Sequence, residues 1–93
     1  MTRQKNPRRI NFTPGVVYFK PRGVPLYQLK ETVLLPEELE ALRLYDVANL
    51  NQTEAGKKMK VSQPTFARIL SNARKKIASA LINGQAIKIT TKN

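Results

Sequence analysis

Apolar residues recur at Phe66, Ile69, Leu70, Ala73, Ile77, Ala80 and Leu81, a spacing of three and four that lines one stripe of an α-helix. Pro64, Ala67, Arg68, Ser71, Asn72 and Lys75 fall on the opposite face, with no carboxylate among them. Ser62 offers an N-cap, and Pro64 lies in the first turn, where a missing N–H costs nothing. Asn83-Gly84 supplies the stop, so the pattern predicts a helix over 62–82. Just upstream, Asn51-Gln52-Thr53-Glu54 reads as another helix start, with the Asn side chain capping the first turn and Glu54 reaching back to the cap. The break around Lys60 is about three residues long, too short for a loop with contacts of its own, and it forces a steep crossing. A helix-turn-helix is expected; the plainer alternative is an αα-hairpin that packs a core and binds nothing.

Pro36-Glu37-Glu38 begins an earlier helix, with Pro at the first helical position and acids where the macrodipole favours them. Leu39, Leu42, Leu44, Tyr45, Val47 and Ala48 carry it to about Ala48, apolar enough to be a scaffold under which the other two pack. Glu40 and Arg43 are neighbours on its surface. From Ile10 to Leu35, Pro and Gly punctuate the chain and exclude helix, leaving Val16–Phe19 and Thr32–Leu35 as short apolar runs with strand propensity. Phe12, Tyr18, Phe19 and Tyr27 are expected to pack this extended part onto the helices. Gln85 to Thr90 alternates and predicts a half-buried strand. A lone strand is not stable, so it needs either Val16–Phe19 or an equivalent segment of a second subunit. The fold class is mainly α: a three-helix helix-turn-helix over residues 31–93 with a C-terminal strand, one or two short β-strands in all, and a basic, extended N-terminal arm over 1–30.

Charge turns this architecture toward a partner. The net charge is +11 over 93 residues, and all six acids fall between Glu31 and Glu54. Two cation-only segments therefore flank a mixed one, as a polyanion-binding protein requires, and nucleic acid is the commonest polyanion. A solvated surface kept for solubility is the alternative. Where a helix-turn-helix meets duplex DNA, the N-terminal residues of the second helix reach base edges. That gives Gln63, Pro64, Ala67 and Arg68 the base-reading positions: Gln pairs with adenine, Arg with guanine, and the apolar pair touches a thymine methyl. Thr53, Lys57, Lys60, Thr65, Asn72 and Lys75 are placed to hold phosphates. In the arm, Arg8 and Arg9 follow Pro7 and suit an adjacent A·T-rich minor groove, or else serve only as a nonspecific cationic tail.

Composition narrows the remaining classes. With no Cys and no His, thiol chemistry, zinc fingers, imidazole bases and soft-ligand metal sites are excluded. Acids confined to helix starts assemble no catalytic dyad, so neither enzyme activity nor a cofactor is expected. No apolar run has the length of a membrane span, and none follows the basic N-terminus as in a signal peptide, so the expectation is a cytoplasmic, nucleoid-associated protein. A single small core, with a strand in need of a partner, favours a homodimer.

Pro7-Arg8-Arg9-Ile10, Tyr18-Phe19-Lys20-Pro21 with Gly23, Glu38-Leu39-Glu40-Ala41-Leu42-Arg43-Leu44, Met59-Lys60-Val61-Ser62 and Ala73-Arg74-Lys75-Lys76-Ile77-Ala78 with Ala80-Leu81 together resemble a family of small prokaryotic proteins predicted to bind DNA. The likeness covers nearly the whole chain. The helical part of that family is similar in turn to region 4 of sigma factors, which enters the major groove at the promoter, and the resemblance puts Gln63, Pro64, Ala67 and Arg68 at base-facing positions. Two features depart from the pattern. Lys60 stands where helix-turn-helix sequences usually carry a left-handed Gly, a strain on the order of 1 kcal/mol. Sigma factors place charged residues where Pro64 and Ala67 stand, so the sigma base contacts do not carry over.

The sequence thus leads to a sequence-specific, dimeric double-stranded-DNA-binding protein, most simply a transcriptional regulator that reads with helix 62–82. The alternatives are an RNA-binding or ribosome-associated module, and a sigma-like protein that docks on RNA polymerase through the acidic 37–46 surface.

Overall fold

A computed structural model describes residues 16–90. Arg8, Arg9 and Phe12 lie outside the described residues. Strand β1 (Val16–Phe19) leads through a 3-10 turn at Leu26–Gln28 to β2 (Glu31–Leu34). Helix α1 (Pro36–Leu42) runs into a π-helical turn at Arg43–Val47, and then come α2 (Gln52–Met59), α3 (Gln63–Asn83) and β3 (Ala86–Thr90). The protein is mainly helical with a small sheet, as the pattern predicts.

The sheet has three strands rather than one or two, in the order β1-β3-β2. β3 pairs antiparallel with β1, Phe19 opposite Ile87, and parallel with β2, Leu34 opposite Ile89. The C-terminal strand therefore finds both partners inside its own chain. In register, Val17, Ile89 and Leu34 form one row and Phe19, Ile87 and Thr32 the next, on the face turned toward the helices, where Leu34 is fully buried. Leu35 does not extend β2. It becomes the N-cap of α1, its N–H donating to Glu38 Oε1 at 2.9 Å.

Ala41 of α1, Leu44 of the π-turn, Ala55 of α2, and Phe66 and Leu70 of α3 make one buried cluster, with Tyr45, Leu50, Met59, Val61 and Ile69 packed against it. Small residues let the three helices approach. At Gly56 a Cβ would stand 3.0 Å from the Val61 carbonyl oxygen and 3.6 Å from Phe66 Cβ, so the turn after α2 folds directly over a bare backbone. Val61 and Lys60 both donate their N–H to the Gly56 carbonyl, Val61 at 2.9 Å.

Four expectations need correction. The first helix does not run regularly to Ala48. From Arg43 it widens into the π-turn, closed by Ala48 N–H to the Arg43 carbonyl at 2.8 Å and ended by Asn49 at φ 63°. The wider turn holds Leu44 in the core but releases Val47, which is 74% exposed. On α3 the apolar stripe holds through Phe66, Leu70, Ala73 and Ala80, but Leu81 is 74% exposed. Fifteen residues beyond Phe66 the stripe has drifted by about 60°, and the last turn carries Leu81 off the packed face. Tyr18, Phe19 and Tyr27 are all exposed, Tyr27 at 85%: β1 is an edge strand, and the 3-10 turn that carries Tyr27 buries none of its residues. That same single turn is the one helical piece in the described part of the segment expected to lack helix.

Candidate nucleic-acid interface

Both helix starts form as the side chains dictate. Asn51 Oδ1 accepts from the Glu54 N–H at 2.8 Å, and Glu54 Oε1 accepts from the Asn51 N–H at 3.4 Å. Ser62 Oγ accepts from the Thr65 N–H at 3.3 Å and donates to Thr65 Oγ1 at 3.0 Å. Thr65 is thus tied into the cap and half-buried, and as the acceptor of the Ser62 hydroxyl it keeps its own O–H to donate. Between the helices only Lys60, Val61 and Ser62 intervene, and Lys60 adopts φ 62°, ψ 40°, the left-handed turn inferred from its place. Its side chain is exposed.

On α3 the expected reading face is open. Gln63, Pro64 and Arg68 are exposed and Ala67 is half-buried. Ser71, Asn72 and Lys75 continue the face toward the C-terminus, exposed throughout. Of the expected phosphate holders on α2, Thr53 and Lys57 are also exposed. Lys75 stands about 18 Å from Gln63 along the axis, at 1.5 Å per residue. The first turns of α3 therefore hold the side chains suited to base edges, and Lys75 falls where the helix would leave a groove.

The cations of α3 divide into two sets. Arg74 pairs with Asp46 through both Nε and Nη2 and lies 5.3 Å above the Tyr45 ring; the hydrogen bond to Asp46 raises the Arg74 pKa, burial opposes the rise, and the Asp46 charge adds to it. Lys76 Nζ donates to Glu38 Oε1 at 2.8 Å and to the Val33 carbonyl at 2.9 Å. These two fasten α3 to the scaffold. Among the described residues no acid lies within ion-pair distance of Arg68 or Lys75, which leaves their charge to the outward face.

The same pairs change the picture of residues 37–46. Glu38 is buried against Lys76, Asp46 is held by Arg74, and Glu40 accepts from Arg43 at 2.8 and 2.7 Å. The Arg43 hydrogen bond lowers the Glu40 pKa, burial opposes it, and the Arg43 charge adds to the lowering, while the Glu40 carboxylate raises the pKa of Arg43. Three of the four acids in this segment are matched by cations, so the surface is mixed rather than acidic.

Sequence reading did not single out Gln52. It is the first residue of α2, as Gln63 is of α3, and Gln63 Nε2 donates a hydrogen bond to Gln52 Oε1 across the turn. Two glutamines, each directly after an N-cap, were the available signal. Among the described residues no cluster of metal-ligating side chains occurs, and no helix is long and apolar enough to cross a membrane.

A family model described as "Protein of unknown function DUF134" matches residues 1–92. The chain is similar to a UPF0251 protein of Moorella thermoacetica, 56% identical over 82 residues, which are 88% of this chain and 55% of that protein. A UPF0251 protein of Pelotomaculum thermopropionicum is 50% identical over 93 residues, 100% of this chain and 70% of the relative. One of Caldanaerobacter subterraneus subsp. tengcongensis is 52% identical over 89 residues, 96% and 75%. The chain thus spans just over half the length of the Moorella relative and about three-quarters of the Caldanaerobacter one. No solved structure matches it.

Proposed function

The chain belongs to the family described as protein of unknown function DUF134, and from that premise we propose that it is a sequence-specific double-stranded-DNA-binding protein, a transcriptional regulator that reads the major groove with α3. The observation that carries this reading is the division of cations on α3: Arg74 and Lys76 are engaged with the scaffold, while Arg68 and Lys75 share an exposed, carboxylate-free face with Gln63, Pro64 and Asn72. A helix buried on one side and cationic, small and amide-bearing on the other suits a major groove. The mixed surface over 37–46 gives less support to docking on RNA polymerase through acids.

A homodimer is part of the proposal. The intrachain pairing of β3 removes one reason for it, but an apolar patch supplies another. Phe19, Leu81 and Ile82 are 60%, 74% and 82% exposed, and Phe19 and Leu81 line a mostly apolar cleft with Pro21, Ala80, Gly84 and Ile87, edged by Lys20 and Gln85. Exposed knobs beside an apolar cleft can be self-complementary across a two-fold axis. The patch lies at the far end of α3 from Gln63, about 27 Å along the axis. Two copies joined there with their α3 axes about 80° apart would hold their reading ends about one helical turn of DNA apart, roughly 34 Å.

Selection from a random duplex pool tests the function. A sharp motif with two half-sites is expected, with a log–log salt slope near −5 if about six phosphates are neutralised. Loss of any motif, or a slope shallower than about −2, would turn the reading toward nonspecific or RNA binding.

A further inference from the structure

We infer that Gln52 is a specificity-determining residue that acts through Gln63: by accepting a hydrogen bond from the Gln63 amide, it sets that carboxamide in the orientation that pairs with adenine and rejects guanine. The inference rests on the DNA-reading proposal and deepens it, from a face that meets bases to a side chain committed to one base.

The two glutamines are brought together by fixed backbone. Asn51 and Ser62 cap α2 and α3, and the close approach of the turn at Gly56 holds the two helix starts in a set relation. Eleven residues apart in the chain, the side chains meet across the turn, Gln63 Nε2 donating to Gln52 Oε1. Gln63 is exposed and Gln52 half-buried. Alone at the surface, Gln63 would spread over several rotamers and both amide orientations, and binding would have to order it.

The chemistry follows from counting donors. A carboxamide has two N–H groups and one oxygen. With one N–H of Gln63 given to Gln52, the other N–H and Oε1 remain side by side. Adenine presents an acceptor at N7 beside a donor at N6, a match for that pair, whereas guanine presents acceptors at both N7 and O6. Against guanine the Gln63 oxygen would face O6 lone pair to lone pair. Turning the Gln63 carboxamide over would set its oxygen against Gln52 Oε1, so one orientation is kept while Gln52 presents its oxygen, as it does here, rather than its own Nε2.

The test uses the whole chain and four proteins: wild type, Gln63→Ala, Gln52→Ala and Gln52→Glu. Glu keeps an acceptor at the same reach and adds a negative charge. On the best duplex from the selection, the base pair whose preference collapses in Gln63→Ala identifies the position read, and adenine is expected there. Gln52→Ala is expected to lower the adenine-over-guanine preference at that position by about tenfold, the scale of one bidentate contact, with other positions unchanged. Gln52→Glu should weaken binding to every duplex yet keep the preference within about twofold. Because both positions are at helix starts and neither is in the core, thermal unfolding should agree closely among all four. If Gln63→Ala flattens one position and Gln52→Ala leaves it intact, or weakens all positions equally, the inference about Gln52 is overturned while the reading stands. If the wild type prefers no base anywhere, the reading itself fails and takes the inference with it.

Discussion

Lys76 Nζ donates at once to the carboxylate of Glu38 in α1 and to the carbonyl of Val33 in β2, at 2.8 and 2.9 Å, so one ammonium joins α3 to both the scaffold helix and the sheet. Glu38 in turn caps the entry to α1 through the Leu35 N–H. Lys76→Met leaves a buried carboxylate without its cation and should destabilise the fold by roughly 2 kcal/mol. Adding Glu38→Gln, which removes the charge and preserves the cap, should restore part of that loss. Urea unfolding of the two variants checks this: a double variant no more stable than Lys76→Met would mean that the charge is not what Lys76 balances.

Arg68 and Lys75 point to the same side of α3 at different distances from its start. Arg68→Ala should cost about 1–3 kcal/mol on the best site and relax preference at one base position, with much less effect on scrambled DNA. Lys75→Ala should weaken specific and scrambled duplexes alike and reduce the salt slope by about 1. Titrations at two salt concentrations separate the two behaviours. Equal losses on both duplexes for Arg68→Ala would mean that α3 reads no base through it.

At Lys60 stability and binding pull in opposite directions. Its φ of 62° is the left-handed region, so Lys60→Gly should stabilise the protein by about 1 kcal/mol. The same change removes an exposed cation beside the turn and should lower the salt slope for DNA by about 1. A chemical unfolding curve and a binding titration on one preparation are enough. Unchanged affinity with raised stability would assign Lys60 to neither phosphate nor groove.

Leu81→Glu and Ile82→Glu should convert a dimer to a monomer in sedimentation and leave thermal unfolding nearly unchanged, since both side chains are mostly exposed in the single chain. Each should also abolish cooperative occupation of paired half-sites while a single half-site still binds. A wild-type protein that sediments as a monomer both free and on DNA would sink the dimer.

Much of this was legible from the sequence because it is local. The caps at Asn51 and Ser62, the left-handed Lys60, the stop at Gly84 and the Glu40–Arg43 pair each depend on residues within one turn of each other, and all form. What escaped was long-range. Glu38 reads as one more acid at a helix start until Lys76, 38 residues on, is brought over it. Asp46 and Arg74 are separated by 28 residues. Gly56 appears in sequence only as a weak helix former, and its reason, the Val61 carbonyl at 3.0 Å from where a Cβ would stand, exists only once the turn has closed. The exposure of Tyr18, Phe19 and Tyr27 follows from the place of β1 at the sheet edge, which strand propensity does not encode.

The central position of β3 bears on how the chain is born. β1 and β2 each hydrogen-bond to β3 and not to one another, and β3 is the last of the three to be translated. Fifty-one residues separate Leu34 from Ala86, so at about 5–20 residues per second the ribosome holds two unpaired edges for roughly 3–10 s before their common partner emerges. Helices α1 and α2 emerge within that interval and α3 is complete two residues before β3 begins, so the helical unit can cover Leu34 from one side as β3 appears. The sheet would then be sealed last, as a clasp on a finished helical unit.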